Sequence, residues 1–149
     1  SDNHFNKRIL NKLAEDFSDM NYYLHLGDSE MYEDELKPFI SVRGNNDFDQ
    51  SYPKERVITI NDHNVFMTHG HHYISLGRYD LLIKRAKELA CDVVFFGHTH
   101  RFTDVREDGI RLINPGSCSH NRDGSPPSFG LLTFEDDGKI DLKRYNIKI

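Results

Sequence analysis

Two segments of the chain repeat apolar residues at the three- and four-residue spacing of a helix. The first, residues 6–17, has Ile9, Leu10, Leu13, Ala14 and Phe17 at these positions. The second, residues 78–90, has Leu82, Ile83, Ala86, Leu89 and Ala90. Because this spacing puts the apolar side chains on one face, both segments are predicted to be amphipathic helices packed against a core.

Shorter apolar or alternating runs predict strands between and after these helices. They cover residues 22–26, 39–43, 56–60, 65–68, 92–96, 110–114, 129–135 and 139–147. Polar turns at 61–64 and 136–138 join neighbouring strands, and residues 120–128 are predicted to be a surface loop. Strand and helix alternate in the first half and strands dominate the second, which predicts an α/β fold of packed sheets with helices outside.

The bulk properties indicate an ordinary globular protein. A length of 149 residues predicts a single domain covering residues 1–149. Since no apolar run reaches the roughly 18 residues of a membrane span, we expect no membrane partner. The two cysteines, Cys91 and Cys118, are too few for a disulfide scaffold and fit a reducing, cytoplasmic location. The net charge of −5 argues against a nucleic-acid partner.

Five short polar segments concentrate the side chains that bind metals. They are Ser1–His4, Gly27–Asp28, Gly44–Asp47, Thr68–His71 and Gly97–His100. Most of them directly follow a predicted strand. Ligand sites in α/β sheets gather where strands end at their carboxyl edge, so these separate loops are predicted to meet at one place.

The residue types and spacing within these segments fit a cluster of two divalent metals. Three pairs stand two residues apart and can point the same way in extended chain, namely Asp2/His4, His69/His71 and His98/His100. The carboxylate of Asp28 can bridge two cations, and Asn45 adds a neutral oxygen. Mixed imidazole and carboxylate ligands favour Mn, Fe, Ni, Co or Zn over Mg or Ca. Such a pair suits phosphate-ester hydrolysis, and bound dications would let an acidic chain accept an anionic substrate.

The order Asp-x-His, Gly-Asp, Gly-Asn-x-Asp, His-Gly-His and Gly-His-Thr-His resembles the calcineurin-like metallophosphoesterase superfamily. The short chain is most similar to its small prokaryotic phosphodiesterase branch, and Asn114–Ser117 also matches a segment common there. The resemblance implies a four-layer αββα fold, with two packed mixed β-sheets flanked by helices. An apolar strand normally precedes Asp-x-His in this family, so the first strand is expected to be missing from the given chain.

The resemblance also implies a ligand assignment. The first metal would be held by Asp2, His4 and His100. The second would be held by Asn45, His69 and His98, with Asp28 bridging the two. A hydroxide shared by both metals would attack phosphorus in line with the leaving oxygen. The expected activity is metal-dependent hydrolysis of a small phosphate ester, foremost a diester. Mn is the expected metal, with Ni, Fe, Co or Zn as alternatives, and a homo-oligomer is expected because the branch often forms one.

Two further residues are predicted to act in catalysis. Many larger relatives carry a His where this chain has Asn46. Because an amide donates a hydrogen bond but not a proton, we expect activity mainly on diesters with good leaving groups and weaker turnover of alkyl monoesters. His71 is the other candidate, facing the substrate or supporting a metal ligand.

Several residues of the same types have simpler interpretations. His25, His63, His72 and His120 fit no motif and are expected at the surface or in packing, while Asp47 is expected to orient its loop. The candidate arginines for pairing with a phosphate are Arg43, Arg101 and Arg122. A non-enzymatic protein-interaction scaffold is the alternative function, since a retromer subunit uses this fold mainly for protein contacts. A scaffold has no need of all seven metal-ligand positions, which are present here. The third hypothesis is a nuclease, although no basic groove is evident.

Overall fold

The computed structural model describes residues 1–148, which form short strands and two α-helices. In chain order the elements are α1 (Lys7–Asp16), β1 (Leu24–His25), a 3₁₀ turn (Glu33–Leu36), β2 (Ile40–Ser41), β3 (Glu55–Ile60), β4 (His63–Thr68), α2 (Asp80–Glu88), β5 (Val93–Phe95), β6 (Phe102–Glu107), β7 (Ile110–Pro115), β8 (Ser128–Phe134) and β9 (Ile140–Asn146).

The central element is a mixed sheet with the strand order β3-β4-β5-β7-β6. Its three inner strands, β4, β5 and β7, run parallel, and the outer strands β3 and β6 are antiparallel to their neighbours. Two smaller sheets complete the fold, a parallel pair of β1 and β2 and an antiparallel pair of β8 and β9. Because the inner strands are parallel, the loops that follow them emerge at one edge of the sheet.

The side chains pack these elements into four layers. On one face of the central sheet, Leu82 and Ala86 of α2 contact Phe66. On the other face, Leu26 after β1 and Leu132 of β8 belong to the same buried cluster as the inner strands. Helix α1 packs its buried Leu10 against Met31, Leu36 and Tyr52 in the segments after β1 and β2. The predicted α/β fold of packed sheets and outer helices is confirmed, and its second sheet layer consists of two separate pairs of strands.

The predicted elements are present with bounds that differ by a few residues, and one strand was missed. Both amphipathic helices form, and the Asn6 side chain caps α1 by accepting from Ile9 N at 3.4 Å. The turn predicted at 61–64 is confined to two residues, so His63 and Asn64 belong to β4. Strand β6 was not predicted. The loop 120–128 is exposed apart from a few residues, of which Asn121 is buried.

A groove of about 840 Å³ lies between the two small sheets. Its walls include Leu24 and Leu26 on the β1 side and Leu132 and Phe134 on β8, and Ser1 also lines it. The Ser1 carbonyl accepts a hydrogen bond from Cys118 N at 3.0 Å. Within residues 1–148, neither helix is long and apolar enough to cross a membrane.

Candidate metal centre

The predicted ligands come from four loops and from the first residues of the chain. Residues 1–4 lie along the loop that follows β1, where Asp2 N donates to Gly27 O and His4 N to Asp28 O, each at 3.1 Å. The loops after β2, β4 and β5 supply the other ligands. All seven predicted ligand side chains are thereby gathered at the carboxyl edge of the sheets, as the sequence indicated.

The first group contains Asp2, His4 and His100. The Nε2 atoms of His4 and His100 lie 3.1 Å apart, and His100 Nε2 lies 3.5 Å from Asp2 Oδ1. One ligand atom from each of the three residues lies within 4.8 Å of the others. Asp2 is fully buried and His100 nearly so. This is the set of residues that the family resemblance assigns to the first metal.

The second group is centred on His69. Its Nε2 atom lies 3.3 Å from Asp28 Oδ2 and 3.0 Å from Asn45 Oδ1. The same Asn45 oxygen lies 3.2 Å from His98 Nδ1. Asp2, Asp28 and His69 also place one ligand atom each within 4.8 Å of one another. In this structure Asp2 therefore belongs to both groups, whereas the resemblance gives the bridging role to Asp28.

The predicted ligand atoms are better suited to binding cations than to hydrogen bonding with one another. Nδ1 of His100 donates to His120 O at 2.8 Å, and Nδ1 of His69 donates to Leu26 O at 2.7 Å. Because a neutral imidazole carries one hydrogen, Nε2 of each ring then presents a lone pair to the cluster. Within the described residues, Asp2 Oδ1 is buried without a hydrogen-bond partner. Buried acceptors that face one another without donors are what a divalent cation satisfies.

The carboxylates of the cluster are held in their ionised form. Burial alone would raise the pKa of Asp2, but the adjacent His100 and His69 rings and the Ser1 hydroxyl outweigh burial, and the pKa falls to about 2. Burial likewise opposes ionisation of Asp28. Its contacts with His69 and the Asn46 backbone reverse that effect and lower the pKa. Both side chains are therefore anionic at neutral pH, which is the form that can bind a cation.

Backbone strain is concentrated at the same residues. Five of the seven predicted ligands have φ in the left-handed region, namely Asp2 (54°), His4 (44°), Asp28 (58°), His98 (69°) and His100 (56°). A residue other than glycine held there costs on the order of 1–3 kcal/mol. Such strain persists where the surroundings enforce it and clusters at functional sites. The left-handed backbone at these five residues therefore accompanies the convergence of their side chains at the cluster.

Two glycines allow the loops to approach the carboxylates. A Cβ at Gly97 would lie 2.6 Å from Asp2 Oδ2 and 2.5 Å from Ser1 Oγ. A Cβ at Gly44 would collide with the carboxylate of Asp28. The glycines that open the predicted motifs are therefore required by space at these two positions.

The structure places both predicted catalytic residues at the cluster, in different settings. Asn46 donates to Asp28 twice, from its backbone N to Oδ1 and from its side-chain amide to Oδ2, each at 2.9 Å. The His71 ring lies 5.4 Å from that of His69, centroid to centroid. Burial and then the neighbouring His72 lower the pKa of His71 to about 4, so it is neutral at pH 7.

Asp47 ties the site loops together, in agreement with its predicted role. Its carboxylate accepts from the backbone N of Gly44 at 2.7 Å, Glu30 at 2.8 Å and Asp28 at 2.9 Å. The loops after β1 and β2 are thereby joined by a single side chain. All three bonds go to backbone nitrogens and none to a side chain of a predicted ligand. Asp47 therefore holds the loops in place without occupying a ligand position.

Sequence reasoning did not identify other supporting residues. Glu30 Oε1 lies 3.1 Å from His4 Nδ1. Ser117 Oγ donates to Asp2 O at 2.7 Å, and Asn114 Nδ2 donates to Gly97 O at 3.0 Å. The Asn-Pro-Gly-Ser motif gave a signal for the last two. No sequence feature pointed to Glu30, because acidic residues are common in loops.

The residues expected outside the site have mostly local partners. His25 is buried in packing, with Nε2 2.9 Å from Asn3 Oδ1. His72 and His120 are exposed, and His63 pairs with Asp92. Among the three candidate arginines, Arg122 reaches the site, where a guanidinium nitrogen donates to His98 O at 3.4 Å.

Comparison with known proteins agrees with this geometry. Residues 1–137 match the model of the calcineurin-like phosphoesterase superfamily domain. The chain is 33% identical over 141 residues to the probable metallophosphoesterase YsnB of Bacillus subtilis, covering 92% of this chain and 83% of that protein. It is 31% identical over 157 residues to phosphodiesterase MJ0936 of Methanocaldococcus jannaschii, covering 91% of this chain and 90% of that protein.

Solved structures show the same fold. The structure of Vps29 complexed with Zn²⁺ from Entamoeba histolytica superimposes with a TM-score of 0.71 at 24% identity, covering 93% of this chain and 88% of that one. At this identity the likeness shows the fold alone. The same fold thus occurs in a structure titled as an archaeal phosphodiesterase, with a TM-score of 0.73, and in one titled Vacuolar Protein Sorting 29, from Cryptosporidium parvum.

Proposed function

Since the chain belongs to the calcineurin-like phosphoesterase superfamily and is a phosphoric ester hydrolase by that membership, we propose that it hydrolyses phosphodiesters at this cluster with two divalent cations, manganese foremost. The relative named as a phosphodiesterase supports the diester as the substrate class. The observation that carries the proposal is the convergence of His4 Nε2, His100 Nε2 and Asp2 Oδ1, the last of which has no hydrogen-bond partner among the described residues.

The proposed ligand set divides as the two groups do. Asp2, His4 and His100 would hold one cation. Asn45, His69 and His98 would hold the other. Asp28 is proposed as the bridge, as the family resemblance implies; its Oδ2 lies 3.3 Å from His69 Nε2, and Asn46 donates to both of its oxygens. When bound, the cation pair supplies Lewis acidity and an activated hydroxide for attack on phosphorus.

The remaining side chains at the cluster would position the substrate. Arg122 places a permanent cation beside His98, where it can bind a non-bridging phosphate oxygen. His71 is neutral at pH 7, and its ring lies 5.4 Å from that of His69, centroid to centroid. A neutral ring at this position would offer a hydrogen bond to the substrate. Asn46 holds Asp28 and lacks a transferable proton, so diesters with good leaving groups are the expected substrates.

Hydrolysis of bis-p-nitrophenyl phosphate by the purified protein, with and without Mn²⁺, tests the proposal. We expect Mn²⁺-dependent turnover that is lost in His98→Ala. The matched control is His63→Ala, which removes a histidine that pairs with Asp92 at the start of β4, away from the cluster, and should keep the activity. No turnover by the folded protein with any divalent metal would reject the hydrolase proposal and favour the protein-interaction scaffold.

A further inference from the structure

His4 differs from the other ligand histidines in what holds its second nitrogen. His69 and His100 use Nδ1 to donate to backbone carbonyls. His4 instead places Nδ1 3.1 Å from the carboxylate oxygen Oε1 of Glu30. Its Nε2 atom faces His100 Nε2 at 3.1 Å on the other side of the ring. The imidazole thus lies between an acidic side chain and the ligand cluster.

Glu30 is itself fixed in place. Its backbone N donates to Asp47 Oδ1 at 2.8 Å, and its φ of 57° lies in the left-handed region. The neighbouring Ser29 carbonyl accepts from Phe5 N at 2.8 Å, next to His4. The side chains of Glu30 and His4 are 31% and 30% exposed. A residue on a strained backbone that is tied to the loop-joining Asp47 is a rigid partner for the ring.

We propose that Glu30 is a positioning residue, which accepts the Nδ1 hydrogen of His4 and so keeps the Nε2 lone pair directed at the first metal group. The inference rests on the proposed function, because it concerns how one of its ligands is oriented. A carboxylate acceptor fixes both the tautomer and the ring orientation of a ligating histidine. Of the three rings held through Nδ1, His4 is the most exposed, so it has the greatest need of a side-chain partner.

The first test is the tautomer of His4 in the metal-free protein, measured by ¹⁵N and ¹³C NMR. In the wild type we expect the hydrogen on Nδ1. Glu30→Ala removes the acceptor and should shift hydrogen to Nε2. Glu30→Gln keeps an acceptor oxygen and should retain most of the wild-type tautomer. The same tautomer in wild type and Glu30→Ala would overturn the inference, whatever the protein's activity.

The second test is Mn²⁺ affinity by calorimetry. Loss of a carboxylate that orients a metal ligand typically weakens binding by about 10–100-fold, and we expect this for Glu30→Ala, with Glu30→Gln in between. The control is Glu33→Gln on the same loop, whose carboxylate contacts Arg56 instead and whose affinity should not change. Unaltered affinity in folded Glu30→Ala would overturn the inference. A wild type that binds no Mn²⁺ would reject the proposed function itself, and the tautomer would still decide the role of Glu30.

Discussion

The two ends of the central sheet carry the same residue types and use them in opposite ways. Where β4 and β5 begin, His63 Nδ1 lies 2.6 Å from Asp92 Oδ2 and Nε2 lies 2.8 Å from Gly138 O. Where these strands end, Asp2 Oδ1 has no partner in the described chain, and two histidine nitrogens face each other. At the first end each donor meets an acceptor. At the second the acceptors converge, which is the arrangement of a binding site.

The same contrast appears in the backbone and in burial. The His63–Asp92 pair is half exposed and lies on regular strand ends. The ligand cluster is largely buried and rests on residues with positive φ. Burying unpaired carboxylates on strained loops destabilises a metal-free protein. Polar groups that all have partners stabilise a fold. The end of the sheet whose buried polar groups lack partners is therefore where function is expected.

The largest expected effect is that of Asp2→Asn at the ligand end, and Asp92→Asn removes one charge at the opposite end for comparison. Asp2→Asn keeps the shape of a buried ligand and removes its anionic oxygen, and we expect Mn²⁺-dependent hydrolysis to fall by more than the roughly 10–100-fold cost of losing a supporting residue. Asp92→Asn keeps an acceptor for Asn64 N and should leave activity within about twofold. Steady-state kinetics on bis-p-nitrophenyl phosphate measure both. Equal losses in the two variants would erase the contrast between the ends.

The second-largest expected effect is a steric one, produced by adding a methyl group at Gly97. Gly97→Ala would bring a methyl group to 2.6 Å from Asp2 Oδ2, and overpacking of this kind typically costs about 1–3 kcal/mol. We expect Gly97→Ala to lower the free energy of unfolding in urea by that amount and to weaken Mn²⁺ binding. In the control, Gly130→Ala, the new methyl group would meet the flexible Leu142 Cδ1 at 3.1 Å. A smaller loss and unchanged Mn²⁺ binding are expected there, and a Gly97→Ala protein with wild-type binding would contradict the steric argument.

A change in selectivity is expected from Asn46→His. An imidazole can donate a proton to the leaving oxygen, and a general acid contributes about 10²–10⁴-fold where it is well placed. The variant also loses the amide that holds Asp28 Oδ2, so we expect only about tenfold better turnover of alkyl esters relative to p-nitrophenyl esters. Comparing both substrates in wild type and variant gives this ratio. An unchanged ratio would show that Asn46 does not limit the leaving group.

The sequence predicted which side chains gather at the site better than it predicted their contacts. Which side chains gather there depends on residue type and spacing, which the motifs display. The finding that Asp2 contacts both ligand groups depends on how residues 1–4 lie along the loop after β1, and spacing alone does not specify this. Glu30 was missed for the same reason, since its contact with His4 spans 26 positions.

The missed strand has a different physical cause. Strand β6 is an edge strand whose residues 104–107 are exposed. Exposed edge strands carry charged residues on both faces, so the alternation of apolar and polar positions disappears. Its partner β7 is buried and was predicted from its apolar run. Patterns of apolar residues therefore locate the inner strands and the half-buried edge strand β3, but not the exposed edge strand β6.

The smallest expected effect is the pH dependence of stability at the paired end. The hydrogen bond with Asp92 raises the pKa of His63, with burial opposing it. A raised pKa stabilises the fold fully below the unfolded value of about 6.5 and ceases to do so as the pH rises through the folded value. The pair is partly exposed, so less than about 1 kcal/mol is expected. Thermal unfolding should therefore show wild type more stable than His63→Gln near pH 5.5, with the difference shrinking above neutrality. A difference that grew with pH would mean that His63 is held neutral, and the two ends would then be less distinct than their contacts indicate.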